Sequence, residues 1–315
     1  MTPPTDDGPP NARLGVIAGL LAYTFWGIFP VYFKLVDTVA PLEVLLHRVV
    51  WAVPFGALII LFRRQIGQVA RAFRSPGTLL WLALAAVCIA GNWFVYIWAV
   101  MHERIFETSL GYYINPLVYV LVGVAFFGER LRRLQLAAVA LATVGVSILT
   151  VSGGQLPWVS LSLAALFTAY GVIRKQVWIG AMPGLFVETL LLFPLAAGGL
   201  GWLMASGSAA FGTSAAPLTA LLLLAGPVTV LPLLFFATAA RNLTLTTVGF
   251  MQFIAPTLQF MTAVWYGEAL TTARLACFAC IWVAVLVFSA DAISASAGRR
   301  TRSVPGGGDS DPGPG

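Results

Sequence analysis

Ten stretches of about 20 mostly apolar residues follow one another along this chain, separated by short polar segments. A helix of that length crosses the hydrocarbon core of a bilayer, so the pattern predicts an all-α integral membrane protein with ten transmembrane helices. Only 10% of the 315 residues are charged and 59% are hydrophobic, which leaves too few charges to cover a soluble domain. The predicted spans are residues 14–36, 42–62, 79–101, 108–127, 134–151, 156–173, 185–204, 217–240, 245–266 and 271–290.

The two halves of the chain carry matching motifs. A Gly-Glu pair ends an apolar stretch at Glu129, and another ends the corresponding stretch of the second half at Glu268. A proline lies inside each of these stretches, at Pro116 and Pro256. Such a repeat in an apolar chain is typical of duplicated membrane carriers. The predicted units are a disordered tail (1–12), a first five-helix repeat (13–151), a second five-helix repeat (156–291) and a disordered cytoplasmic tail (292–315).

The basic residues predict the orientation of the chain. With the N-terminus in the cytoplasm, 14 of the 18 Lys and Arg residues fall on the cytoplasmic side, which favours cytoplasmic N and C termini. Because each half has an odd number of spans, the second half then runs antiparallel to the first, as an inverted repeat. The net charge of +6 lies in these loops, so it indicates topology and not a nucleic-acid partner.

Three ionisable residues lie in the second predicted span: Glu43, His47 and Arg48. An Arg at the centre of a membrane helix costs roughly 2.5 to 3.5 kcal/mol. Contact with water near the outer boundary would account for Glu43 and His47, whereas Arg48 lies deeper and predicts a cavity. Glu188 has the equivalent position in the second half. We expect these opposite charges at the two ends of one cavity and not in a direct salt bridge.

Polar residues also lie in the third, fourth and ninth predicted spans. Each alone favours an interhelical hydrogen bond, but beside Pro116 and Pro256 they predict a cavity lining. Gln252 and Gln259 should share one helix face. The matching aromatic residues of the two halves could either contact a substrate or pack against other rings. The predicted substrate-binding residues are Trp26, His47, Arg48, Asn92, Tyr112, Asn115, Tyr170, Glu188, Gln252 and Gln259.

Several ordered motifs resemble the RarD (chloramphenicol-sensitivity) proteins of the EamA-type branch of the drug/metabolite transporter superfamily. The resemblance extends from residue 13 to 291 and implies a five-plus-five inverted repeat, an inner-membrane location and a permease. It also implies a substrate cavity between the halves, which supports the ten candidate residues. The matching motifs are residues 23–27, 47–48, 109–117, 128–133, 171–175, 188–190, 256–258 and 267–268.

These observations predict a secondary active transporter that moves a small organic metabolite or drug-like molecule by alternating access. Arg48 could hold a carboxylate, and Glu188 or His47 could couple transport to protons. The alternative is a lipid-linked carrier or flippase, which requires a lateral opening toward lipid. An enzyme is disfavoured because no catalytic cluster, metal-ligand spacing or phosphate-binding loop is visible, so no cofactor is expected. A passive scaffold would not explain the repeated polar and proline-containing segments.

Overall fold

The computed structural model describes residues 11–127, 132–153, 156–212 and 216–302, and within these ranges every regular element is an α-helix. Outside the described residues lie the motif containing Glu129, most of the predicted N-terminal tail, and residues 303–315 of the predicted C-terminal tail. The helices are α1 Ala12–Leu35, α2 Pro41–Phe62, α3 Ile66–Phe73, α4 Pro76–Met101, α5 Ile105–Phe127, α6 Arg133–Gly153, α7 Trp158–Arg174, α8 Ala181–Ala205, α9 Ala216–Asn242, α10 Leu245–Met251, α11 Ile254–Trp265 and α12 Thr272–Arg302.

Seven described helices are long and apolar enough to cross a membrane, namely α1, α2, α4, α6, α8, α9 and α12. The prediction of an all-helical, multi-pass membrane protein is therefore confirmed. The other three predicted spans correspond to α5, to the 17-residue α7, and to α10 together with α11. That these also cross the membrane, and that both termini are cytoplasmic, remain predictions.

The helix boundaries differ from the predicted spans at three places. The ninth span is interrupted between Met251 and Ile254, so it forms two helices. Pro256 then lies in the first turn of α11, where its missing N–H breaks no helical hydrogen bond. The short helix α3 was not predicted, and α12 continues through Arg302, past the predicted end of its span at residue 290.

Several of the helix contacts join corresponding spans of the two halves or have a counterpart in the other half. Helix α1 contacts α9 and α11, just as α7 contacts α4 and α5. The pairs α2–α8, α5–α11 and α6–α12 each join corresponding helices of the two halves. The largest cluster of buried apolar residues accordingly contains residues from both halves, including Phe33, Leu110 and Phe278.

A close contact between α2 and α9 positions the polar residues discussed below. A β-carbon at Gly226 of α9 would overlap the backbone carbonyl of Trp51 in α2, so only glycine permits this approach. Arg48 precedes Trp51 by about one helical turn, and Thr229 follows Gly226 by about one turn. The close approach therefore brings Arg48 next to Thr229.

Candidate functional site

Arg48 is buried in the middle of α2, with an exposed fraction of 3%. Its Nε donates a hydrogen bond to Thr229 Oγ1 at 3.0 Å, and Thr229 in turn donates to the Ala225 carbonyl at 2.7 Å. None of the four ion pairs among the described residues includes Arg48. A buried cation without an acidic partner is costly, so its surroundings must compensate the charge.

Aromatic rings surround the Arg48 guanidinium. Its central carbon lies 4.5 Å from the ring centre of Trp93, 5.4 Å from that of Phe33 and 5.9 Å from that of Phe29. The negative faces of such rings attract a cation by about 0.5 to 2 kcal/mol each. They stabilise the charge in part but leave it without a hydrogen-bonding anion. Arg48 therefore retains the capacity to bind a carboxylate or phosphate.

Asn92 and Tyr112 lie close to the aromatic rings that surround Arg48. The Tyr112 ring is 5.8 Å from that of Tyr96, which is 5.8 Å from the ring of Phe33. The Tyr112 hydroxyl donates to Asn92 Oδ1, and Asn92 Nδ2 donates to the Leu163 carbonyl, both at 3.1 Å. Asn92 thus connects α4 to α5 and α7, and both of its polar atoms are already bonded.

Several buried polar atoms of α4, α5 and α7 lack a hydrogen-bond partner among the described residues. They include the hydroxyl of Tyr96 and Oδ1 of Asn115, which lies one turn after Tyr112 in α5. A buried polar atom without a hydrogen bond costs about 1 to 3 kcal/mol. Both atoms are therefore available to a polar ligand or water.

Gln259 and Trp26 are in contact, whereas Gln252 lies apart from them. Gln259 Nε2 donates to the Trp26 carbonyl at 3.2 Å, and its Oε1 accepts from Thr108 at 3.4 Å. The Trp26 ring packs against Tyr23 at 5.4 Å. Gln252 is exposed at the break between α10 and α11. The expectation of one shared face for Gln252 and Gln259 was wrong because the helix does not continue between them.

Glu188 and Tyr170 form a second polar group with Arg174. The Tyr170 hydroxyl donates to Glu188 Oε2 at 3.2 Å, and Arg174 Nη1 lies 3.3 Å from Glu188 Oε1. The side chain of Glu188 is 1% exposed and that of Arg174 is 14% exposed. Arg174 is one of the basic residues that predict the cytoplasmic side, and its contact with Glu188 was not predicted from the sequence. Its spacing of four residues from Tyr170 placed both on one helix face and was the signal for this contact.

Glu43 and His47 are buried, so contact with water at the outer boundary does not account for them. The Glu43 carboxylate accepts hydrogen bonds from the backbone N–H groups of Ala210 at 2.8 Å and Phe211 at 3.1 Å. Trp51 Nε1 donates to His47 Nδ1 at 3.0 Å, and His47 Nε2 lies 3.8 Å from Glu43 Oε1. Since Nδ1 accepts a hydrogen bond, the imidazole is neutral in this arrangement and carries its proton on Nε2.

Glu268 has a structural role that the sequence analysis missed. Its carboxylate accepts hydrogen bonds from the backbone N–H groups of Ile105 and Phe106, the latter at 3.0 Å. These are the first two residues of α5, whose N–H groups have no partner within the helix. A carboxylate at a helix N-terminus also interacts favourably with the helix dipole. Glu268 therefore joins the loop before α12 to the start of α5.

Replacing Glu268 with Gln is expected to lower the free energy of unfolding by about 1 to 2 kcal/mol. The carboxylate of Glu268 has two charged oxygens that accept from two N–H groups, whereas the amide of Gln has a single, neutral acceptor oxygen. Thermal unfolding in detergent measures the change. Glu103→Gln is the matched control, because Glu103 is exposed in the loop that precedes α5. Equal melting temperatures for the Glu268 and Glu103 variants would contradict the capping role.

An all-helical chain with several membrane-crossing helices and ionisable residues buried between them is typical of membrane transport proteins. Comparison with known proteins agrees. Residues 13–151 match the EamA-like transporter family. A Vibrio cholerae protein described as an uncharacterized transporter is 44% identical over 304 residues, which cover 96% of this chain and 99% of that protein. The protein RarD of Salmonella typhi is 46% identical over 284 residues, covering 90% and 97% of the two chains.

The chain therefore belongs to the RarD family of EamA-like transporters, which confirms the resemblance seen in the sequence motifs. It is a membrane transporter of the drug/metabolite superfamily. A solved crystal structure is also similar, with a TM-score of 0.56 and 18% identity, and covers 88% of this chain and 97% of the other. At that identity the similarity concerns the fold alone.

Proposed function

We propose that this protein is a secondary active transporter of the inner membrane that moves a small organic molecule bearing a carboxylate. The observation that supports this most is Arg48, a buried guanidinium without a carboxylate within 4.0 Å among the described residues. A substrate carboxylate would supply the missing charge. The rings of Trp93, Phe33 and Phe29 would contact the apolar part of the same molecule.

Alternating access is the proposed mechanism. It is supported by the helix contacts that correspond between the two halves, such as those of α1 and α7. Two carboxylates form hydrogen bonds between the halves: Glu43 with the loop before α9, and Glu268 with the start of α5. With the predicted topology, both contacts lie at the outer end. Opening at that end would require both sets of hydrogen bonds to break.

Glu188 is the better candidate for proton coupling, because Nδ1 of His47 already accepts a hydrogen bond from Trp51. The ion pair with Arg174 favours the ionised form of Glu188 in the described conformation. If Arg174 moves away during transport, the buried carboxylate can bind a proton instead. In liposomes, transport by a Glu188→Gln variant should no longer respond to a pH gradient. An unchanged response would exclude the proposed role.

Substrate binding can be tested by measuring the melting temperature of the purified protein in the presence of individual metabolites. We expect the stabilising compounds to be enriched in carboxylates with an apolar or aromatic body. Each such compound is then tested for uptake into liposomes that contain the protein. If only neutral compounds stabilise the protein and enter the liposomes, the proposed carboxylate specificity is wrong.

A lipid-linked carrier remains the second candidate, because a cleft of about 410 Å³ lies between α5, α6 and the start of α7. Its lining is mostly apolar and includes Ile114, Leu117 and Val139. Such a cleft could accept an acyl or polyprenyl chain from the side. Arg48 does not line it, so the two candidate functions use different parts of the molecule. Uptake of a water-soluble carboxylate by protein in liposomes would favour the first candidate over the second.

A further inference from the structure

The guanidinium of Arg174 lies directly against the backbone of α8 at a glycine. A β-carbon at Gly184 would overlap Nη1, Nη2 and the central carbon of this guanidinium. Non-bonded atoms keep about 3.5 to 4.0 Å apart, so any larger residue at this position would displace the guanidinium. Gly184 is buried in α8, one helical turn before Glu188. The absence of a side chain at Gly184 therefore lets Arg174 reach Glu188.

Three residues of α8, spaced four apart, hold the Arg174 side chain. Its Nη2 donates a hydrogen bond to the carbonyl of Gly180, the N-terminal cap of α8, at 3.1 Å. Its Nη1 lies 3.3 Å from Oε1 of Glu188, and Gly184 lies between these two contacts. Residues four apart share one face of a helix. The guanidinium therefore lies along a single face of α8.

The contact between Arg174 and Glu188 is mainly electrostatic. Neither Nη1 of Arg174 nor Oε1 of Glu188 makes a hydrogen bond to another described residue. A buried ion pair is firmly held only when its hydrogen-bond geometry is good. Loss of the charge on Glu188 would thus leave the Gly180 carbonyl as the one hydrogen-bond acceptor for Arg174 in the described part of the chain.

The surroundings of Glu188 offer no second counter-charge within the described ranges. The titratable side chains in contact with it are Arg174 and Tyr170, both on α7. The adjacent Val187 packs in an apolar cluster with Leu82 of α4 and other buried residues. If the guanidinium leaves, the buried carboxylate keeps only the hydrogen bond from Tyr170. A carboxylate in such an environment binds a proton from water.

We propose that Gly184 is a positioning residue for proton coupling: it keeps Arg174 beside Glu188, and movement of the guanidinium off Gly184 lets Glu188 bind a proton. The proton comes from water and returns to water when the ion pair forms again. Arg174 and the proton therefore exclude each other at Glu188. This inference rests on the role of Glu188 in the proposed function.

Infrared spectroscopy of the full-length protein tests the position of the proton without any substrate. A protonated carboxyl group has its own C=O band, and loss of the band in a Glu188→Gln variant assigns it to Glu188. At neutral pH this band should be at least about twofold stronger in Gly184→Ala than in wild type. Equal bands in the two proteins would overturn the proposal.

The matched control is Gly198→Ala, which adds the same methyl group to the same helix. None of the described atoms lies within 4 Å of a β-carbon at Gly198 outside its own chain neighbours and helix backbone. The Gly198 variant should therefore keep the wild-type band. A band as strong as that of Gly184→Ala would show that any alanine in α8 has this effect, and the proposal would fail.

A double variant separates the effect on Arg174 from an effect on helix packing. Arg174→Ala removes the atoms that a β-carbon at Gly184 would overlap. Adding Gly184→Ala to Arg174→Ala should therefore change neither the Glu188 band nor the melting temperature further. Equal effects of Gly184→Ala with and without Arg174 would overturn the proposal. If Gly184→Ala alone does not fold, folding of the double variant supports the overlap with Arg174, whereas its failure to fold beside a folded Arg174→Ala contradicts it.

Transport into liposomes distinguishes this inference from the proposed function. Uptake by Gly184→Ala should respond less to a pH gradient than uptake by wild type, while Gly198→Ala should respond as wild type does. If wild-type uptake ignores the pH gradient, Glu188 has no role in proton coupling and the functional part of the proposal fails with it. The infrared bands still decide separately whether Gly184 positions Arg174.

Discussion

Replacing Arg48 with Gln is expected to weaken the binding of a carboxylate substrate by about 10- to 100-fold, the effect of losing a charged hydrogen bond of about 1.5 to 3 kcal/mol. The empty protein should keep its melting temperature or become more stable. The substitution removes a buried cation that has no acidic partner among the described residues, and uncompensated charges are costly within a membrane. Gln can still donate a hydrogen bond to Thr229.

The sharpest measurement compares a stabilising carboxylate with its methyl ester, which has nearly the same shape but no charge. Wild type should bind the acid and discriminate against the ester. The Arg48→Gln variant should bind both weakly and with similar affinity. Arg13→Gln, which removes the same charge from an exposed position at the start of α1, should behave as wild type.

Two results would contradict the role of Arg48. One is equal affinity of wild type for the acid and the ester, and the other is unchanged affinity of Arg48→Gln for the acid. If Arg48→Gln does not fold, Arg48→Lys provides the second comparison, because it keeps the charge but not the planar pair of donors. It should bind the acid more weakly than wild type and still discriminate against the ester.

Breaking the buried ion pair between Arg174 and Glu188 is expected to cause the largest loss of stability. Removing Arg174 leaves the Glu188 carboxylate buried without a counter-ion, which costs up to about 3 to 5 kcal/mol. Removing Glu188 leaves Arg174, which is 14% exposed and also donates to the Gly180 carbonyl, so the expected loss is smaller. Arg174→Gln should therefore lower the melting temperature more than Glu188→Gln. The double variant should recover most of the loss, because neither charge remains and two amides can still form a hydrogen bond.

A double-mutant cycle based on thermal unfolding measures this coupling. The Arg104–Glu107 pair is the matched control, since its atoms are 3.4 Å apart but the Arg104 side chain is 32% exposed. Its coupling should be about 0 to 1 kcal/mol, as for other surface pairs. Additive effects of Arg174→Gln and Glu188→Gln would show that the ion pair does not stabilise the protein.

From the sequence, Arg48 and Glu188 were expected as opposite charges at the two ends of one cavity. In the structure, only one of these two charges has an ionic partner among the described residues. Glu188 is neutralised by Arg174, four residues after Tyr170 on the same helix, whereas Arg48 has no such partner among the described residues. The two halves are therefore unequal in charge as well as in sequence. This asymmetry supports a substrate with a single anionic group at Arg48 more than one with charges at both ends.

The sequence by itself determined the class of this protein, because membrane insertion depends on the summed hydropathy of about 20 consecutive residues, a local property that composition reveals. The hydropathy pattern predicted the helices of seven spans, and the ordered motifs predicted the family. Only the tertiary structure decided which buried charges are paired. The partners of Glu43, Glu268 and Arg48 come from distant parts of the chain, and such contacts depend on how helices of the two halves pack and on where a helix breaks, as it does at Gln252.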